Sequence, residues 1–128
     1  MFKMEINEVK EVKKIWGKEI WMANTDKYCG KLLKIEKGKR CSIHYHKIKD
    51  ETFYILEGRV LMEVDNKIAI MEKGEVVRIV PLTKHRFSGL KDSIIIEIST
   101  HHDDSDSCRE EGEPSGEVPE GIMKKYGE

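Results

Sequence analysis

Two histidines separated by one residue, and followed shortly by a carboxylate, are the part of this sequence best suited to hold a metal ion. His44 and His46 lie in an alternating stretch, and side chains two apart on a β-strand point to the same face. Glu51 begins the next stretch after a polar turn, and His85 is our candidate for a fourth ligand from elsewhere in the fold. Three neutral imidazoles and one carboxylate suit Mn, Zn, Fe, Ni or Co. An isolated His-x-His pair, by contrast, is more often two ordinary strand histidines.

Short strands joined by turns must position these four side chains. Turn-forming residues recur about every 8 to 12 positions, which is typical of all-β domains. Residues 1–14 alternate weakly and suit either an edge strand or a loose arm. The alternation predicts strands at 28–36, 40–46, 52–56, 60–64, 68–71, 76–80 and 93–100. Since the core contains no long amphipathic pattern, we predict a closed β-barrel or a two-sheet jelly roll.

Composition bounds the size, location and partners of the chain. Its 128 residues suffice for one domain, and a formal net charge of −1 gives no general attraction to nucleic acid or to anionic membranes. No segment reaches the ~20 apolar residues that span a bilayer, and residues 1–5 lack the apolar core of a secretion signal. Three cysteines argue against a disulfide framework. We therefore expect a cytoplasmic protein without nucleic-acid or membrane partners.

The composition changes sharply after residue 102. Asp, Glu, Ser, Gly and Pro dominate from 103 to 121, and apolar residues nearly vanish. We predict a barrel with an N-terminal arm over 1–102, with its core motifs in 38–100. Residues 103–128 form an acidic, Pro- and Gly-rich tail that is either mobile or held by the barrel.

The spacing of glycines around the candidate ligands resembles the two motifs of the cupin superfamily. The first motif matches at every fixed position and the second keeps its Gly-to-His distance, although its Pro comes one place late and Thr83 and Gly89 replace Gly and Asn. The matching residues are Gly38, His44, His46, Glu51 and Gly58, and then Gly74, Pro81 and His85. This resemblance implies an all-β cupin double-stranded β-helix (jelly-roll barrel). It also implies one divalent transition metal (Mn, Zn, Fe or Ni) held by His44, His46, Glu51 and His85.

Residues 16–109 further resemble the cupin domain of type II mannose-6-phosphate isomerases. The shared features are Trp16-Gly17, a Tyr-x-x-Lys strand, His85-Arg86, the IEIST strand at 96–100 and an acidic run ending at Arg109. The segment 46–53 departs from that family's usual His-Arg-x-Glu-His-Trp sequence. The resemblance implies a metal-dependent isomerase or epimerase acting on a sugar or sugar phosphate. By analogy with cupins, it also implies a homodimer that pairs or exchanges its N-terminal strands around residues 2–6.

An isomerase needs a base beside the metal as well as groups that position substrate hydroxyls. Glu97 is the one charged residue in an Ile-rich strand, and a dry site would raise its proton affinity, so it is our candidate base. A Glu paired with a cation at a sheet edge is an equal alternative. Lys31 and Tyr28 are candidates for binding hydroxyls or a phosphate, although Lys31 also suits a solvent-facing position.

Two other functions remain open at this stage. A metal-containing barrel without enzymatic activity could bind a sugar, and an acid or base beside the metal would argue against it. An iron-dependent dioxygenase is the third possibility, because three His and one Glu also occur in iron cupins.

Overall fold

The computed structural model describes residues 2–127, and it confirms the all-β jelly-roll prediction. Thirteen strands and one short helix follow each other along the chain. The strands are β1 (Lys10–Lys14), β2 (Gly17–Asn24), β3 (Cys29–Ile35), β4 (Lys39–Arg40), β5 (His44–His46), β6 (Glu51–Glu57), β7 (Arg59–Val64), β8 (Lys67–Glu72), β9 (Val76–Ile79), β10 (His85–Gly89), β11 (Ser93–Ser99), β12 (Ser107–Arg109) and β13 (Gly116–Glu117). The helix α1 spans Glu120–Tyr126.

Two antiparallel sheets face each other. The first has the strand order β1-β2-β3-β11-β6-β9. In the second, β10 pairs with β5 and β4 along one edge and with β7 along the other, and β8 completes the β7 side. Apolar side chains from both inner faces form the core between the sheets, among them Leu33, Phe53, Ile55, Phe87 and Ile95. Leu33, Phe53 and Phe87 also border the polar cavity described below.

The segment that leads to His44 and His46 is not one continuous strand. Sequence alternation predicted a strand over 40–46, whereas the chain pairs as β4 and β5 with residues 41–43 between them. His44 lies opposite His85 on β10, so the register of the second sheet joins the two halves of the motif. Sequence alternation did not predict a strand at residues 85–89, where β10 lies.

Two turns depend on unusual backbone conformations. The β7–β8 hairpin turns through Asp65 and Asn66, which have φ of 50° and 67°. A two-residue type I′ turn requires positive φ at both of its central residues. Gly58, between β6 and β7, has φ of 94°, and a Cβ atom there would lie 2.2 Å from the Ser93 hydroxyl. Only glycine meets both demands at this position.

The tail, residues 103–127, is attached to the barrel rather than free. A short 3-10 helix (Asp104–Asp106) leads into β12, which pairs with β5, and β13 pairs with β4. The backbone carbonyl of Tyr126 in α1 accepts a hydrogen bond from Arg59. Of the two alternatives left open for the tail, the structure shows the one in which the barrel holds it. The division at residue 102 itself stays a prediction.

Candidate metal centre

Three imidazoles meet inside the barrel. The potential ligand atoms of His44, His46 and His85 lie within 4.8 Å of one another, and His46 and His85 are buried. His44 and His46 come from the same face of β5, as the alternation predicted, and β10 supplies His85. A cluster of this geometry can bind a metal ion.

Backbone carbonyls fix the orientation of two of these rings. The Nδ1 atom of His44 lies 2.9 Å from the Ser42 carbonyl, and the Nδ1 atom of His85 lies 2.9 Å from the Thr83 carbonyl. A carbonyl oxygen only accepts hydrogen bonds, so each Nδ1 carries the proton. The Nε2 atom of each neutral ring therefore has a free lone pair, which is the arrangement that metal-binding histidines use.

Burial keeps the rings of His44 and His46 neutral. It lowers the pKa of His44 to about 3, with a further contribution from the neighbouring His85. Burial, together with Lys49 and His85, lowers the pKa of His46 to about 4. Both imidazoles are therefore uncharged at pH 7, and protons do not compete there with a metal ion for their lone pairs.

Glu51, the first residue of β6, lies beside two of the three imidazoles. Its Oε2 atom lies 3.4 Å from Nε2 of His46 and 3.3 Å from Nε2 of His85, and its side chain is 2% exposed. Among residues 2–127, neither this oxygen nor Nε2 of His85 has a hydrogen-bond partner. Two buried electron-pair acceptors at this distance repel unless a cation lies between them. Ligands each about 2.1 Å from one metal ion are themselves about 3 Å apart, so the residues present fit a divalent cation.

Next to the imidazoles lies a cavity of about 750 Å³. Its wall includes His44 and His46 from β5 of the second sheet, and Lys31, Glu51 and Glu97 from strands of the first sheet. A volume of this size is within the range of small-molecule sites.

The structure brings two of the three predicted substrate-side residues to this cavity. Glu97 and Lys31 are buried, at 4% and 1% exposure, so the solvent-facing alternative for Lys31 is wrong. The Nζ atom of Lys31 lies 3.2 Å from Glu19 and 4.1 Å from the centre of the Trp21 ring. Tyr28, in contrast, precedes β3 and is 57% exposed, and it does not contribute to the cavity wall. Tyr28 therefore lies outside the cavity that the other candidates share.

Lys49 is the residue that sequence analysis missed. Its Nζ atom lies 2.6 Å from Oε2 of Glu97, and both side chains are buried. It also donates a hydrogen bond to Nδ1 of His102, whose Nε2–H donates to Asp104. Lys49 comes from a polar turn without periodicity, so no local pattern could have placed it inside the barrel.

Lys49 changes the chemistry expected of Glu97. Burial by itself raises the pKa of this carboxyl, but the ammonium groups of Lys49 and Lys31 outweigh burial and lower the pKa. The expectation that a dry site raises the proton affinity of Glu97 is therefore wrong in direction. Glu97 is ionised at pH 7, and Ser99 donates a further hydrogen bond to its Oε2 atom.

Comparison with known proteins identifies the family. The family model described as a cupin domain matches residues 31–102, which is more than half of the chain and includes all four candidate ligands. The chain belongs to the cupin family. An uncharacterised protein of Methanocaldococcus jannaschii is 38% identical over 53 residues, a match that covers 41% of this chain and 42% of that protein. The chain thus matches less than half the length of this curated relative.

Solved cupin structures share the fold at low sequence identity. KdgF from Halomonas sp. superimposes with a TM-score of 0.69 at 19% identity, covering 77% of this chain and 90% of that chain. An RmlC-like cupin from Shewanella frigidimarina gives 0.68 at 18% identity, covering 76% and 87%. Streptomyces Pac13, described as a nucleoside dehydratase, gives 0.70 at 9% identity, covering 86% and 91%. At these identities the likeness concerns the cupin fold alone.

No helix within residues 2–127 is long and apolar enough to cross a membrane.

Proposed function

We propose that this cupin binds one divalent transition metal ion (Mn, Zn, Fe or Ni) through His44, His46, Glu51 and His85, and isomerises or epimerises a sugar or sugar phosphate. The observation that carries the metal site is the buried contact between two acceptors, Oε2 of Glu51 and Nε2 of His85, 3.3 Å apart. When bound, the ion would act as a Lewis acid toward the carbonyl and hydroxyl oxygens of the substrate.

The reaction moves a proton between two adjacent carbon atoms. In aldose–ketose isomerisation, Glu97 takes the proton from the hydroxyl-bearing carbon beside the carbonyl and returns it to the carbonyl carbon. The proton of that hydroxyl passes to the former carbonyl oxygen, so that atoms balance without a co-reactant. Lys49 keeps the Glu97 carboxylate ionised and holds it at the cavity wall through the 2.6 Å contact. Lys31, fixed by Glu19 on the same wall, is placed to bind a substrate oxygen.

Metal analysis combined with a turnover assay tests this function. We expect the purified protein to bind one equivalent of Co²⁺ with an absorption spectrum of nitrogen and oxygen ligands, and E51Q to weaken binding at least about tenfold. E57Q is the matched control, because Glu57 lies on the same strand but is exposed. Unchanged cobalt affinity in E51Q, or no cobalt binding by the wild-type protein, contradicts the site.

The turnover assay screens aldose–ketose interconversion with sugars and sugar phosphates. We expect activity that a chelator abolishes and that Mn²⁺, Zn²⁺, Fe²⁺ or Ni²⁺ restores. E97Q should lower kcat by about 10² or more, since it removes the base, while the exposed-site variant E57Q keeps full activity. Turnover that survives in E97Q would exclude Glu97 as the base.

A non-enzymatic binding module is the second candidate, and the ion pair between Lys49 and Glu97 favours it. A carboxylate with a lowered pKa is a weaker base than the mechanism prefers. A loaded metal with sugar binding but no turnover would select this candidate. Oxygen consumption by the Fe²⁺-loaded protein would instead select the dioxygenase.

We also infer that two copies pair through the outer face of the first sheet. A row of directly paired apolar residues crosses five strands there: Ile20, Leu32, Ile96, Tyr54 and Val76. A sheet face that is exposed to water normally carries polar residues. A row of apolar residues therefore suits a face that another molecule covers. The apolar residues 2–6 that the sequence argument assigned to strand pairing are exposed, with Phe2 at 87%.

Light scattering after size exclusion tests the dimer. We expect I98K to yield monomers, because Ile98 lies on this face at 61% exposure. I68K is the control, since Ile68 has a similar exposure of 54% on β8 of the other sheet. A wild-type monomer would refute the pairing.

The three free cysteines are consistent with the reducing cytoplasm that we propose as the location of this protein.

A further inference from the structure

The tail places two polar side chains directly beside the metal-binding histidines. Strand β12 pairs with β5 so that Ser107 lies opposite His46 and Arg109 lies opposite His44. Residues opposite each other on antiparallel strands share a face, with Cβ atoms about 4.5 to 5.5 Å apart. The side chains of Ser107 and Arg109 accordingly line the same cavity as the imidazoles.

Among residues 2–127, no carboxylate forms an ion pair with the guanidinium of Arg109. Two of its acidic neighbours in sequence are engaged elsewhere, since Glu110 pairs with Lys84 and Glu113 pairs with the buried Arg86. Within residues 2–127, Arg109 itself has no ion-pair partner. The acidic residues that surround Arg109 in the sequence therefore do not form an ion pair with it among the described residues.

The cavity as a whole favours an anion once a cation is bound. Five cationic and four carboxylate side chains line it, and the buried ammonium groups of Lys31 and Lys49 are matched by Glu19 and Glu97. Adding the two charges of a divalent ion makes the cavity clearly positive. The guanidinium of Arg109 is the unmatched cationic group closest in the sheet to a metal ligand.

The strand that carries Arg109 is held in place by a buried carboxylate. Asp106, at the residue before β12, accepts hydrogen bonds from the backbone N–H groups of Lys47, Ile48 and Lys49 at 2.9 to 3.0 Å. A carboxylate bound by three amides is a rigid anchor. Arg109 is thus presented from an ordered strand, and only its side chain needs to adjust to a ligand.

We propose that Arg109, with Ser107 beside it, binds an anionic group of the ligand, either a carboxylate or a phosphate. The planar guanidinium matches both groups with two parallel hydrogen bonds. This inference rests on the proposed function, because the same ligand reaches the metal ion beside His44. It narrows the substrate class from sugars in general to acidic sugars or sugar phosphates.

Titration of the Co²⁺-loaded full-length chain tests the proposal with three probes: inorganic phosphate, acetate and glucose. We expect R109Q to weaken phosphate or acetate binding about tenfold, as the loss of charge-assisted hydrogen bonds predicts, and to leave glucose binding and the cobalt spectrum unchanged. R109K should restore part of the affinity. A larger effect on phosphate than on acetate would assign a phosphate ligand, and the reverse would assign a carboxylate.

R78Q is the matched control, because Arg78 is an exposed arginine on β9 that does not line the cavity. It should bind every probe as the wild-type chain does. Equal anion affinity in wild type and R109Q, an equal loss in R78Q, or no anion binding by the wild-type chain would overturn the anion site. Absence of the cobalt spectrum in the wild-type chain would instead count against the proposed metal function, so the two failures are distinguishable.

Discussion

The ion pair between Lys49 and Glu97 allows a quantitative test of how this cavity is built. Its Nζ–Oε2 distance is 2.6 Å and both side chains are at most 5% exposed. Breaking a buried pair by removing one partner costs about 3 to 5 kcal/mol, because the other charge stays buried and unpaired. We place K49M and E97Q near the lower limit of about 3 kcal/mol each, since the cavity admits water.

The double variant decides whether the two charges act as a unit. Removing both charges relieves the unpaired group, so K49M/E97Q should be more stable than the sum of the single effects by about 2 to 3 kcal/mol. Urea unfolding of the metal-free protein at pH 7 measures all four corners of this cycle. Additivity within about 0.5 kcal/mol would refute the argument.

A surface pair of the same length provides the control. Arg78 and Asp50 also approach to 2.6 Å, but their side chains are 65% and 31% exposed. Exposed pairs contribute about 0 to 1 kcal/mol, so the R78Q/D50N cycle should show a coupling in that range. The contrast isolates burial, because the distance between the charges is the same in both pairs.

The pH dependence of the K49M effect provides an independent check on its sign. Lys49 and Lys31 lower the pKa of Glu97 in the folded protein despite its burial, so this group stabilises the fold above its unfolded pKa. That contribution is lost as the pH falls through the folded value. In K49M the buried Glu97 carboxylate loses the ammonium group that contributes most to lowering its pKa, so burial raises the pKa and Glu97 takes up a proton as the pH falls from 7 to 4. The cost of K49M should therefore shrink over this interval.

Three further outcomes are expected. The metal-free protein should lose stability as the pH falls from 6.5 toward 4, by up to about 1.4 kcal/mol per pH unit for each buried imidazole. In the folded protein the pKa values of His44 and His46 are about 3 and about 4, whereas the histidines of the unfolded chain bind protons near pH 6.5. Urea titrations of wild type and H44Q measure the slope of stability against pH. G58A should destabilise the protein more than G74A in thermal unfolding. Both glycines have φ above 90°, but only at Gly58 would an added Cβ atom clash with neighbouring atoms. This clash adds about 1 to 3 kcal/mol to the cost of the substitution. A chelator should lower the melting temperature of the loaded wild-type chain and leave that of E51Q nearly unchanged.

Strand geometry explains why the clustering of His44 and His46 was predictable from the sequence. A side-chain period of two brings His44 and His46 to one face whatever the rest of the fold does. Glu51 and His85 required the motif resemblance, because the pairing of β5 with β10 is a long-range property. The interruption between β4 and β5 was not predictable, since residues 41–43 alternate as a strand does.

The polar side of the cavity could not be predicted in the same way. The direction of the Glu97 pKa depends on Lys49, which is 48 positions earlier in the chain and in a turn without periodicity. Tyr28 and Lys31 were assigned together from one strand, but strand pairing begins at Cys29 and leaves Tyr28 exposed. Local patterns specify which face a residue takes within a strand, and they do not specify where a strand begins.

The tail shows how an acidic segment with few apolar residues can still determine a site. A carboxylate is costly to bury unless it is hydrogen-bonded, and Asp106 solves this problem by accepting the amides of residues 47–49. The same turn joins His46 to Glu51 and carries Lys49 to Glu97. The position of one tail carboxylate therefore constrains the spacing of two candidate ligands and the direction of the buried ammonium group. The cavity is therefore lined by residues from both sides of the predicted boundary at residue 102.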